Sequence, residues 1–303
     1  MKEISKGILV VLIIVLVFML WVHSGEDYLF WKENGNYQRE EIQKVHVTRA
    51  DGKDLYLDIE SYLEGVISSE MSPAFEMEAL KAQCVAARTF VVQRGYEVDD
   101  TTNTQVYRDN KQLKDIWKDN YDVYHKKIQQ AVQETTGEIL TYQGKPISAL
   151  FFSSSCGKTA NAQEYWGNKV PYLVSVDSSW DKQSEEYEKS ITMGKQEFST
   201  ALGFQNTVQE IEEPIRYDSG YVKEIRIDRI VFTGREVREK LNLRSSCFTI
   251  KENKDNVVIT TKGYGHGVGM SQIGAQAMAE KGTSYKQILS HYYPKTKIEK
   301  LGV

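Results

Sequence analysis

The sequence predicts an α+β protein, and three observations carry that expectation. Helical spacing and strand alternation are interleaved along the chain with no repeating strand, helix, strand rhythm. Two stretches, 46–59 and 248–261, place strand-like runs on either side of a turn, as antiparallel hairpins do. Helix signals recur throughout, among them the capping box from Thr233 to Glu236 and glycine stops at Gly95, Gly137, Gly203 and Gly282.

Lys2 and Lys6 precede an uninterrupted apolar run from Gly7 to Val22. At about 1.5 Å per residue such a run nearly crosses a hydrocarbon core of roughly 30 Å. The lysines lie before it and Glu26 and Asp27 after it, which predicts a cytoplasmic N-terminus and an external remainder. The following WVHSGED has no small-x-small cleavage site, so a retained anchor is expected over a cleaved signal peptide. The chain therefore divides into a cytoplasmic tail 1–6, a transmembrane anchor 7–23, a polar and aromatic tether 24–44 and an extracytoplasmic part 45–303. That last part is long enough for one large domain or for two lobes around a groove. Of the formal net charge of −4, Lys2, Glu3 and Lys6 contribute +1, leaving −5 outside. No basic cluster is present, so nucleic acid is not an expected partner.

His46–Arg49 and Asp54–Ile59 flank Asp51-Gly52 and predict the first hairpin. Leu63, Val66 and Ile67 follow at helical spacing, so about 60–69 reads as an amphipathic helix whose last turn carries Glu70. Ser72-Pro73 stops it. A second helix from Glu76 to Arg94 places Leu80, Cys84, Ala87 and Val91 on one face and ends at Gly95. Glu70 is thus held at a corner between two helices. The negative helix end and the apolar Ile67, Met71, Pro73 and Phe75 both disfavour its carboxylate form and predict a raised pKa. A protonated glutamate near neutral pH is what a general acid requires. Most glutamates at helix ends are merely solvated, so position alone leaves both readings open.

Tyr121–Thr135 is a further helix, and Glu138–Tyr142 with Ile147–Ser153 reads as a hairpin around Gln143-Gly144-Lys145. It opens into FFSSSCGKTANAQEYWG. Ser153, Ser154, Ser155 and Gly157 suit a loop facing a polar ligand such as a glycan, with Trp166 as a stacking surface; an ordinary turn competes for each serine. Downstream, Phe198 and Leu202 belong to a short helix, Ile225–Phe232 to a strand region, and Phe248–Lys251 with Val257–Thr261 to a hairpin. Helices are expected over Ser271–Lys281 and Ser284–Tyr293. The intervening GYGHGVGM lacks G-x-G-x-x-G spacing, and no full G-x-x-x-x-G-K-[ST] exists, since Gly157-Lys158-Thr159 has Phe152 where the first glycine would stand, so no cofactor is expected. Its glycines serve either close backbone packing, with His266 a turn histidine, or a ligand.

The three cysteines form no complete disulfide framework, although one pair stays open in an extracellular setting. Cys84 lies on an apolar helical stripe and Cys247 before a strand, both structural positions. Cys156 sits among small polar residues, and a cysteine peptidase using it with His266 is a competing reading. That reading is weakened because no clear helix N-terminus follows Cys156 to lower its pKa.

The run GVISSEMSPAFEMEALKAQCVAARTF and the block GYGHGVGMSQIGAQA, Gly263 to Ala277, together resemble the stage II sporulation protein D family. The likeness covers most of the chain after about His46. It implies a peptidoglycan lytic transglycosylase in which Glu70 is the catalytic acid. It places His266, Ser271 and Gln272 in or near the glycan groove; orientation and charge stabilisation would fall to Gln83, Arg88 and the Ser153–Ser155 loop. Arg88 is equally suited to an ion pair within its helix. Some members bind zinc through a cysteine and a histidine, where this chain has Asp99 or Asp100 and Asn103 and Thr104. Those hard oxygen ligands suit zinc poorly, so no metal site is expected. The resemblance further implies engulfment at the mother-cell membrane of an endospore former. The partners it implies are glycan strands, a cell-wall amidase and a membrane protein, stage II sporulation proteins P and M. Relatives that act as amidase enhancers imply an alternative, a non-catalytic glycan-binding activator.

Overall fold

The computed structural model of the chain describes residues 43–302. The expected tail, the anchor over 7–23 and the tether up to residue 42 lie outside the described residues. Among those described, no helix is long and apolar enough to cross a membrane.

Val45 and Val47 alternate with His46 and Thr48, and the two-residue period buries the valines in β1, Val45–Thr48. It pairs antiparallel with β2, Leu55–Leu57, in the register Val45↔Leu57. The predicted hairpin is present, with a connection wider than Asp51-Gly52. A third strand, β3 (Glu97–Asp99), joins β1 in parallel; too short to show a period, it has no signal in the sequence.

Helix α1, Ile59–Glu70, starts where Asp58 accepts the Ser61 amide, and it ends at Met71, whose backbone is extended. Helix α2, Met77–Gln93, is buried from Ala79 to Val91 on all sides except at the partly exposed Lys81, not on one face alone. Four alanines let neighbours approach it from every direction: α1, strand β4 (Glu138–Tyr142) and three further helices pack on it. Those three are α4 (Tyr121–Glu134), α8 (Gln272–Glu280) and α9 (Tyr285–Tyr292). The short α3, Asn110–Trp117, carries an Asp109/Gln112 capping box that the sequence reading passed over, and α5, Ala162–Trp166, is likewise additional.

The second expected hairpin is mostly replaced. β4 turns through Gln143 and Gly144, both at positive φ, but pairs only with β5, Lys145–Pro146. Its longer neighbour is the C-terminal β14, Lys297–Lys300. Of the strand expected over 147–153 only β6, Phe151–Phe152, is formed, and it pairs in parallel with β13, Met270–Ser271. Local pattern identified an extended segment, but its partner comes from more than a hundred residues away.

Two buried clusters result. The first is built around α1, α2, α4, α8 and α9. The second gathers Phe198, Ile225, Ile227, Phe232, Val237, Phe248 and Ile259. It lies under β7 (Glu188–Gly194), α6 (Lys195–Leu202), β8 (Ile215–Arg216), β9 (Val222–Ile227), β10 (Ile230–Thr233) and α7 (Gly234–Lys240). The hairpin β11 (Phe248–Glu252) and β12 (Asn256–Lys262) extends to β7 and completes it. The architecture is mixed α+β.

Candidate active site

Glu70 is the last residue of α1, where the chain turns through Ser72-Pro73 toward α2. Its Oε1 accepts the Val106 amide at 2.7 Å. Burial raises its pKa; the Val106 hydrogen bond and the Arg108 guanidinium oppose the rise without cancelling it. Val106 is delivered by a segment anchored on both sides. Gln105, fully buried, accepts from the Tyr62 hydroxyl and donates to the Ala87 carbonyl, while Tyr107 stacks on Tyr62. Tyr107 and Arg108 also line a cleft of roughly 440 Å³ with Leu57, Ser61, Glu64 and Gly65.

The second sequence block reaches the same corner. Gln272, first residue of α8, donates its amide to the Glu70 carbonyl at 3.0 Å, and Gln276 one turn on accepts the Glu76 amide at 2.7 Å. Ser271 caps α8 by accepting the Gly274 amide. Its own hydroxyl donates to Asp181 at 2.9 Å. Asp181 is fully buried and also receives the Ser155 amide at 2.7 Å and the Ser178 hydroxyl at 3.0 Å. Burial raises its pKa against those three bonds. Nothing in the sequence marked this aspartate, which sits in a 3-10 turn, Ser179–Gln183, without periodicity.

The predicted ligand-binding residues divide accordingly. Ser154 and Ser155 are buried, Ser154 bridged to Tyr264 and Ser155 bound to Asp181; Ser153 is half-buried and its carbonyl accepts the Ile273 amide. Arg88 is a correction. It is fully buried, with Nε and Nη2 on Glu60 at 3.0 and 2.6 Å and Nη1 on the Glu138 carbonyl at 3.1 Å. Its charge holds α2 to α1, with a partner on the neighbouring helix and none of its fork turned to ligand. Gln83 is also fully buried, and among the described residues neither amide atom finds a hydrogen-bond partner; the structure offers no account of it.

His266 accepts the Val268 amide at Nδ1, so Nε2 carries the proton and donates to the Phe151 carbonyl at 3.0 Å. Burial, first, and Arg238 lower its pKa to about 4, so the ring is neutral. With both nitrogens on backbone it is no general base for Cys156, which removes the cysteine peptidase reading. Its ring instead lies beside Tyr165 and the exposed Trp166. The glycines around it serve close packing: a Cβ on Gly269 would sit 2.0 Å from the Leu150 carbonyl oxygen, and both φ and space demand glycine there.

The segment after β3 is tied internally, with Asp99 accepting from Thr101 and Thr104 donating to the Asp99 carbonyl. Among the described residues no group of three His, Cys, Asp or Glu could hold a metal ion.

The fold and site define a class: a mixed α+β domain in which two distant segments converge on Glu70, a half-buried carboxylic acid whose pKa burial raises. Residues 54–142 match the family model for stage II sporulation protein. The chain is 46% identical over 250 residues to stage II sporulation protein D of Bacillus amyloliquefaciens, covering 78% of this chain and 73% of that one. It is 43% identical over 255 residues to the same-named protein of Bacillus subtilis (strain 168), covering 80% and 74%. It is also 32% identical over 291 residues to the amidase enhancer of that strain, covering 77% of this chain and 40% of that protein. The chain belongs to the stage II sporulation protein D family, whose name ties it to sporulation.

Proposed function

We propose that this chain is a membrane-anchored peptidoglycan lytic transglycosylase acting during engulfment, with Glu70 as its single acid and base. The observation that carries the reading is a half-buried Glu70 that accepts the Val106 amide at 2.7 Å beside the Arg108 guanidinium, with burial raising its pKa and no carboxylate among the causes of that shift. A hydrolytic glycosidase ordinarily uses two carboxyl groups, one of them to activate water or to attack C1. With no second carboxylate acting on Glu70, the nucleophile in this reading comes from the substrate. Glu70 in its acid form gives its proton to the oxygen joining N-acetylmuramic acid to N-acetylglucosamine as the C1–O bond breaks. The resulting carboxylate takes the proton of the muramic C6 hydroxyl while O6 bonds to C1, leaving a 1,6-anhydro end and the original protonated Glu70. Arg108 lies where it stabilises that carboxylate. Ser153, half-buried beside the α8 N-terminus, and the exposed Trp166 remain the candidates for sugar contacts.

The expected substrate is stem-peptide-free glycan, which calls for an amidase partner; the membrane partner and mother-cell setting belong to the same proposal. The likeness to an amidase enhancer favours one alternative, a glycan-binding activator without catalysis. Comparing wild type with Glu70→Gln on stem-peptide-free strands separates them. Cleavage lost and binding kept in the variant supports the enzyme. Wild type that binds but cleaves nothing, and stimulates an amidase equally with either residue at 70, supports the activator.

A further inference from the structure

The segment after β6 and the start of β11 meet at the Ser219–Gly220 peptide. Cys156 Sγ points at the Ser219 carbonyl at 3.6 Å and Cys247 Sγ at the Gly220 carbonyl at 3.5 Å, so the two side chains reach the carbonyls of consecutive residues. The two thiols lie near enough for each to shift the titration of the other. Around them, the Tyr187 hydroxyl donates to the Cys156 carbonyl at 3.0 Å and the Ser245 hydroxyl accepts the Cys247 amide at 3.1 Å, which fixes both backbones. Cys84, the third cysteine, is buried within α2. Both thiols of the pair are free in this structure.

From this juxtaposition we propose that Cys156 and Cys247 are a disulfide-forming pair, closed by thiol–disulfide exchange with a small external disulfide such as oxidised glutathione. Cys156 is the less buried of the two and meets the oxidant first. Its thiolate attacks one sulfur of the external disulfide, forming a mixed disulfide and expelling one thiolate. The Cys247 thiolate then attacks Cys156 Sγ, forming the Cys156–Cys247 bond and expelling the second. The two protein protons pass to the two leaving groups, so two protein thiols are oxidised and one external disulfide is reduced to two thiols. Cys247 is suited to the second displacement, since the nearby charges of Arg216 and Lys262 favour its thiolate after Cys156 has entered the mixed disulfide. The bond closes a ring over residues 157–246, which contains α5 with Trp166 and much of the second core. It would tie that segment to the strand end that carries Ser153. The inference is independent of the glycosidase reading.

The test uses the full chain purified in detergent with reductant, then exposed to oxidised glutathione. Thiol titration is expected to fall from three per chain to one, with a mass loss of about two daltons and one linked peptide pair containing Cys156 and Cys247. Tm should rise by about 5–15 °C, and reductant should reverse it. Cys247→Ser should instead stop at a glutathione adduct on Cys156, and Cys84→Ser should behave as wild type. Three titratable thiols after oxidation, a linkage through Cys84, or crosslinks only between chains would overturn the proposal.

Discussion

Gln272 donates its side-chain amide to the backbone carbonyl of Glu70 across 3.0 Å, joining positions 202 residues apart in the chain. That carbonyl belongs to the last turn of α1, where no further amide follows in the helix to satisfy it. The second sequence block therefore acts on the acid through its backbone, setting where the side chain starts.

Gln272→Ala should cost about 1–2 kcal/mol of stability. Cleavage should drop by about 10- to 100-fold, because a misplaced acid loses its alignment with the glycosidic oxygen. Binding to glycan should change little. Titration of affinity beside initial rates checks this, and equal losses in both would make Gln272 a ligand contact instead.

The pH response of stability follows from the direction of the Glu70 shift. Burial raises its folded pKa above the ordinary 4.5, so the folded state holds its proton more tightly than the unfolded one. Stability from this group is present below that ordinary value and is lost as pH rises through the folded pKa. Glu70→Gln removes the penalty. Its Tm should exceed that of wild type on the alkaline side of this window and converge with it on the acid side. Asp181, buried and shifted the same way, would remain in both proteins and cancel. A difference in Tm that does not vary with pH contradicts a raised pKa.

Gly65 lies on α1 with Tyr107 directly above it. A Cβ there would fall 2.4 Å from Tyr107 Cε2 and 2.6 Å from the Arg108 carbonyl oxygen. Gly65→Ala should push the 106–108 segment away, loosening the Val106 bond to Glu70, at a cost of about 1–3 kcal/mol from overpacking. Activity should fall further than that stability loss accounts for. Thermal melts and cleavage rates below the transition measure the two effects separately.

Arg88→Met leaves Glu60 facing a buried apolar chain and should cost about 3 kcal/mol, whereas adding Glu60→Gln should recover part of it. Below its lowered Tm the single variant should cleave at nearly the wild-type rate. A strong catalytic defect in folded protein would return Arg88 to the groove.

Much of this was legible locally. Leu63, Val66 and Ile67 with Ser72-Pro73 marked α1 and its end, and the Thr233/Glu236 box marked α7, because each signal lies within a turn or two of the element it defines. Glu70 was identifiable as a corner residue, and of the two causes expected for its shift, burial and the negative helix end, burial is the one that raises its pKa. What stayed hidden is held by distant partners. Phe151–Phe152 pairs with 270–271, Arg88 with Glu60, and Asp181 gathers Ser155, Ser178 and Ser271 from three segments. A buried guanidinium and a ligand-facing one look alike in sequence, and only the packing of α2 on every side distinguishes them.

The central claim, one acid and an intramolecular nucleophile, is tested most directly by the chemical ends of the product. Stem-peptide-free glycan strands are treated with wild-type protein or Glu70→Gln, and the released fragments are weighed by mass spectrometry. The account predicts 1,6-anhydromuramic ends from wild type, about 18 Da lighter than reducing ends, and a loss of about 10²–10⁴ in rate for the variant. Reducing ends from wild type would mean that water attacks and that a second carboxylate takes part, which contradicts the account.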